Sequence, residues 1–79
     1  MRAGKLFKDL GFTRIRRVTD LIYQYKGDDT EYTVDFDLIN KIYFVSCSNY
    51  FYTYVDIDMK LHMAIHQQLR ELGWIKEEE

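Results

Sequence analysis

Apolar residues recur at helical spacing near both ends of this chain and at a period of two between them. Leu6, Phe7 and Leu10 fall on one side of a helix over Gly4 to Leu10, and Leu61, Ala64, Ile65, Leu69 and Leu72 form one stripe from Met59 to Leu72. Each segment is followed by a glycine, Gly11 or Gly73, the residue best able to take the left-handed conformation that ends a helix. The two endings match: Phe7, Lys8, Asp9, Leu10, Gly11, Phe12 beside Leu69, Arg70, Glu71, Leu72, Gly73, Trp74. A Schellman ending then pairs Phe12 with Phe7 and Trp74 with Leu69, one stop device used twice. Asp58 is the expected N-cap of the second helix, because its carboxylate can accept the free amide protons of the first turn.

Between the helices the pattern predicts strands. Phe12 to Val18 is a candidate, Leu21 to Lys26 a clearer one, and Gly27, Asp28 and Asp29 turn the chain into Glu31 to Asp37. There Tyr32, Val34 and Phe36 alternate with Thr33, Asp35 and Asp37, as in a strand with one buried face. Residues Asp37 to Asn40 read as a tight connection with Asn40 near the left-handed region, leading into a strand over Lys41 to Cys47. Ser48 and Asn49 turn again, and Tyr50 to Val55 is the last expected strand. Short connections make consecutive strands antiparallel neighbours. The expected fold is therefore α+β, an antiparallel meander of four to five strands with a short N-terminal and a longer C-terminal helix packed on one face.

Length changes the picture only by limiting it. The 79 residues suit a single domain spanning 1–79, with residues 75–79 as a frayed acidic tail. No apolar run approaches the roughly 20 residues of a membrane span, and the charged start lacks a signal peptide's apolar stretch, so the expected location is the cytoplasm, with no membrane partner. The lone Cys47 makes no internal disulfide and no zinc framework.

Charge and aromatic content mark the candidate surfaces. Residues 1–26 carry seven basic against two acidic side chains, and residues 27–79 four against eleven. The halves either neutralise each other across the fold or leave a basic cluster at Arg14, Arg16 and Arg17 for nucleic acid or an acidic partner. Strand alternation would split Arg14 and Arg16 from Arg17 unless the strand bends there. All seven tyrosines lie from Tyr23 to Tyr54. Tyr50, Tyr52 and Tyr54 share one side of their strand, and Tyr43 extends the stripe; this is cross-strand packing, a partner-binding face or, against its neutral and acidic neighbours, a base-stacking surface. On the second helix Met59, Met63, His66 and Arg70 follow one another on the side away from the stripe, an adaptable surface for a partner or for a homodimer.

Catalytic chemistry is not visible. His62 and His66 stand at i and i+4, with Asp58 one turn earlier, which geometrically allows a zinc or nickel ion; Met63 occupies the place of the glutamate in His-Glu-x-x-His, and no metal or other cofactor is expected. Asp35 with Asp37, and Asp56 with Asp58, are carboxylate pairs expected to stay hydrated on an outer strand face or at a cap. No phosphate loop or nucleophile elbow is present, and an enzyme is not expected.

The segments KLFKDLGF, YQYKGDDTEYTVDFD, NKIYFV and IDMKLHMAIHQQLRELGWI together resemble small proteins encoded by phages and prophages of Gram-positive bacteria. The likeness rests on a Leu-Gly-aromatic helix stop, a Phe-Asp strand end and a closing Ala-Ile-x-x-x-Leu-x-x-Leu-Gly-Trp helix. It implies a phage setting in a host cytoplasm and supplies no catalytic residue. The expected function is a non-enzymatic protein-interaction module, a phage accessory or host-modulating factor, including an anti-defence role, that binds a host or phage protein. The alternative is a small nucleic-acid-binding regulator using Arg14, Arg16 and Arg17.

Overall fold

Both helices end as their shared motif requires. In the computed structural model, which describes residues 1–49 and 56–76, α1 spans Ala3–Asp9 and α2 spans Met59–Glu71. Gly11 and Gly73 follow them with φ of 91° and 74°. The amide of Phe12 donates to the carbonyl of Phe7, and that of Trp74 to Leu69, each at 3.0 Å; the amides of Gly11 and Gly73 donate to Lys8 and Arg70. These bonds satisfy carbonyls that a helix end leaves free. They also steer the aromatic that follows: Phe12 meets the edge of Phe7 at 5.5 Å, and Trp74 is delivered to Phe36 at 6.2 Å. At the start of α2 the Asp58 carboxylate accepts from the amide of Leu61 at 2.8 Å, the expected cap.

Four strands lie between the helices: β1 Thr13–Arg16, β2 Asp20–Lys26, β3 Thr30–Asp37 and β4 Ile42–Asn49. They form one antiparallel sheet in the order β1-β2-β3-β4. The α+β meander is thus as the alternating pattern implies. The expected strand over Tyr50 to Val55 lies outside the described residues, as do residues 77–79 of the expected tail; Ile75 is half-buried.

Register sorts the strand side chains into two faces. Arg16, Leu21, Phe36 and Tyr43 form one cross-strand row, and Arg14, Tyr23, Val34 and Val45 the next; both rows face the helices. Phe7, Leu21, Tyr23, Val34, Phe36, Leu61, Ala64 and Ile65 make the buried core. Phe7 is central, stacked on Tyr23 with ring centroids 3.8 Å apart and edge-on to Phe36 at 6.5 Å. The helices run antiparallel over this layer. The Ala3 amide donates to Glu71 Oε2 at 2.7 Å at one end, and Leu6 and Leu10 border Met59 and Met63 at the other.

Four local expectations are corrected. β4 runs on through Ser48 and Asn49, where the sequence predicts a turn, because both residues pair with the start of β3, opposite Glu31 and Thr30. β1 is shorter than Phe12 to Val18, because Phe12 is committed to the end of α1 and Val18 stands exposed in the turn before β2. In the β3–β4 connection Lys41, not Asn40, takes the left-handed conformation, with φ 56°. Asn40 is tied to the Asp37 carboxylate by its amide at 3.0 Å and by its side-chain nitrogen at 2.8 Å. The reversal is therefore completed one residue later, where the Lys41 amide donates to the carbonyl of Asp37. Finally, α2 buries Gln68 within its apolar stripe, while Leu69 and Leu72 are only half-buried.

Candidate interaction surfaces

The sheet face turned away from the helices carries Ile15, Ile22, Asp35 and Phe44 in one row and Asp20, Asp37 and Ile42 in the next. Among the described residues no helix or strand packs against this face. The second row marks one end of the sheet, because Asp20 opens β2, Asp37 closes β3 and Ile42 opens β4. The two turns at that end are joined by the Leu38 amide, which donates to the carbonyl of Thr19 at 2.9 Å. Their tips carry Val18 and Ile39. Val18, Ile39, Ile42 and Phe44 are each more than half exposed, so the end of the sheet presents four large apolar side chains to solvent. Isolated exposed apolar residues are ordinary; four gathered at one end of a face that no described helix or strand covers form a patch.

Three carboxylates sit within that patch. Burial raises the Asp35 carboxyl above its ordinary value, and so do its hydrogen bond to the Asp20 carboxyl and the charges of Asp20 and Asp37, against a smaller opposing effect of Arg17. Oδ1 of Asp35 is buried without a hydrogen-bond partner. The expectation that the carboxylate pair simply stays hydrated is corrected at Asp35. Asp37 is half-buried at the end of β3, and its carboxyl is lowered by the hydrogen bonds from Asn40 and Ile39, against a smaller opposing effect of burial. Asp35 differs because antiparallel pairing puts it beside Ile22, which is only 7% exposed, and shields it with the neighbouring row.

The helix side holds the other candidates. Met59 and Met63 are exposed and share an apolar groove with Leu6 and Leu10 of α1; His66 is exposed on the same helix. The rings of His62 and His66 lie 6.3 Å apart, both exposed. Among the described residues no three His, Cys, Asp or Glu side chains are gathered as metal ligands. Tyr43 lies on the helix side of β4, half-exposed, with its ring 5.7 Å from Phe36. Tyr50, Tyr52 and Tyr54 lie outside the described residues.

The basic cluster is divided. Arg14 and Arg16 share the helix face with Tyr23 and Leu21, whereas Arg17 follows the end of β1, and its charge is felt by Asp35 of the other face. Arg14 and Arg16 instead join Arg2 around a cavity between β1 and the paired helix ends. At its floor the buried Tyr23 hydroxyl donates to Gln68 Oε1 at 2.7 Å.

Compared with protein-family models, with curated proteins and with solved structures, the chain matches none.

Two features of these surfaces were not anticipated from the chain alone. The sequence places Ile42 and Phe44 in a strand, but nothing local says which face the helices will cover. Arg2 is distant in the chain from Gln68 and Glu71, and the hydrogen bond from the Ala3 amide to Glu71, across a separation of 68 residues, brings them together. No helix among the described residues is long and apolar enough to cross a membrane.

Proposed function

We propose that the chain is a non-enzymatic protein-interaction module that docks through the open end of its sheet. The observation that carries this reading is the exposure of Val18, Ile39, Ile42 and Phe44 around Asp20, Asp35 and Asp37. Burying such side chains releases roughly 25 cal/mol per Å² of apolar surface. The carboxylates select among apolar partners, because leaving them unpaired in a closed interface is costly. The partner is accordingly a protein whose apolar contact surface carries lysine or arginine. A host protein met by a phage accessory factor is the setting that the resemblance to small phage proteins implies. The division of Arg14 and Arg16 from Arg17 favours this reading over a nucleic-acid regulator, which would use a continuous basic track.

The test is affinity capture from extract of an infected or lysogenic host with the wild-type chain, Phe44→Asp and Met63→Asp. Capture lost with Phe44→Asp and retained with Met63→Asp is expected. Retention with Phe44→Asp overturns the reading in favour of the α1–α2 groove, provided that both variants keep the wild-type circular dichroism spectrum. Sedimentation of the same three proteins separates a partner from a second copy: a homodimer dissociated by Phe44→Asp would make the chain its own partner.

A further inference from the structure

We infer that the cavity bordered by Arg2, Arg14 and Arg16 binds a small phosphate monoester. The cavity measures about 500 Å³ and opens on the helix side, away from the docking face. Its cations come from two places: β1 supplies Arg14 and Arg16 at alternate positions of one strand face, and the residue before α1 supplies Arg2. Its floor is the buried Tyr23–Gln68 pair, and Leu21 and Leu72 add apolar wall. Gly4 also lines the space. A methyl group built there would sit 3.9 Å from both Arg14 Nη1 and the Tyr23 hydroxyl, so those two groups flank a backbone without a side chain.

Charge decides the class of ligand. Glu71 is the one carboxylate in the lining, and it is engaged: Oε2 accepts from the Ala3 amide at 2.7 Å and from Gln67 Nε2 at 2.9 Å, with Arg2 4.0 Å from Oε1. Three guanidiniums against this carboxylate leave an excess that a dianion neutralises and a single carboxylate does not. Planar guanidinium forks match phosphate oxygens, and the apolar wall suits a compact organic group on the ester oxygen. A polymer backbone fits poorly. Its successive phosphates need a row of cations, and the next arginine of the segment, Arg17, does not line the cavity.

The site is tested with the full chain by following backbone amide shifts while phenyl phosphate, inorganic phosphate, benzenesulfonate or a single-stranded oligonucleotide is added at constant ionic strength. Saturable shifts at Gly4, Arg14, Tyr23 and Gln68 are expected with phenyl phosphate, weaker ones with inorganic phosphate, and weaker still with the monoanionic benzenesulfonate. Arg14→Gln and Arg16→Gln should each weaken phenyl phosphate about tenfold, as loss of a charge-assisted hydrogen bond implies, while Arg17→Gln should leave it unchanged. These arginines are exposed, so retained amide dispersion shows that the variants fold. Absence of saturable shifts, unchanged affinity in both Arg14→Gln and Arg16→Gln, or equal loss in Arg17→Gln would overturn the inference. Tighter binding of the oligonucleotide than of phenyl phosphate at equal phosphate concentration would also overturn it.

Discussion

The hydroxyl of Tyr23 donates to Oε1 of Gln68 at 2.7 Å, joining the middle of the sheet to the last turns of α2 inside an otherwise apolar core. Tyr23 is 1% exposed and Gln68 6%, so neither group has water as an alternative partner of equal quality. Tyr23→Phe should therefore cost about 1–3 kcal/mol of stability by urea unfolding, the range for stranding a buried acceptor. A double variant with Gln68→Leu should cost less than the two single changes added together. Strict additivity would show that the pair is not coupled.

Burial raises the Tyr23 hydroxyl above its ordinary 10.0; the Arg14 charge lowers it, Glu71 raises it, and Arg16 lowers it. The folded state thus holds this proton more tightly than the unfolded chain. Its contribution to stability is complete below pH 10.0 and is lost as pH rises through the higher folded value. The difference in stability between the wild-type chain and Tyr23→Phe should shrink across that alkaline window. Unfolding curves taken at several alkaline pH values check this, and a constant difference would refute it.

The two glycine stops should respond differently to the same change. Gly73→Ala meets open space and bears only the cost of its φ of 74°, about 1–2 kcal/mol. Gly11→Ala bears a similar backbone cost and would also place its new carbon 3.2 Å from the Tyr25 ring. Thermal unfolding should therefore rank Gly11→Ala as the more damaging. The reverse order would mean that Tyr25 yields without cost.

Phe7 touches Tyr23, Phe12 and Phe36, and it is fully buried. Phe7→Ala should remove about 3–5 kcal/mol, a large share of the stability of a chain this short. Far-ultraviolet circular dichroism would register the consequence as partial or complete loss of helix at ambient temperature. A cooperative unfolding transition close to that of the wild type would contradict the central place given to this ring.

Asp35 carries the opposite kind of strain. Its carboxyl is raised by burial first, then by Asp20 and Asp37, with Arg17 opposing. The native state therefore favours the protonated form. The stability this proton confers is full below the ordinary 3.8 and is lost as pH rises through the raised folded value. Asp35→Asn should be more stable than the wild type at neutral pH by about 0.5–1 kcal/mol, the scale of a partly solvated charge pair. That advantage should vanish in acid. An advantage independent of pH would assign the effect to packing.

Local chemistry in the sequence specifies much of this fold. Leu-Gly-aromatic stops need only a residue free to adopt positive φ and an apolar residue after it, so Gly11 with Phe12 and Gly73 with Trp74 were legible by position. Asp58 was legible as a cap for the same reason, and alternation from Tyr32 to Asp37 separated the faces of β3. Which face the helices would cover was decided by packing: Phe7 stacks on Tyr23, which commits Val34, Phe36 and Tyr43 to the helix side and leaves Ile42 and Phe44 to the other. The cavity needed the tertiary structure outright, because Arg2, Arg14 and Gln68 meet only when antiparallel helices bring the ends of the chain together. Short-range hydrogen bonding and backbone freedom can be read residue by residue, whereas a surface formed by distant segments exists only after the core has chosen its side.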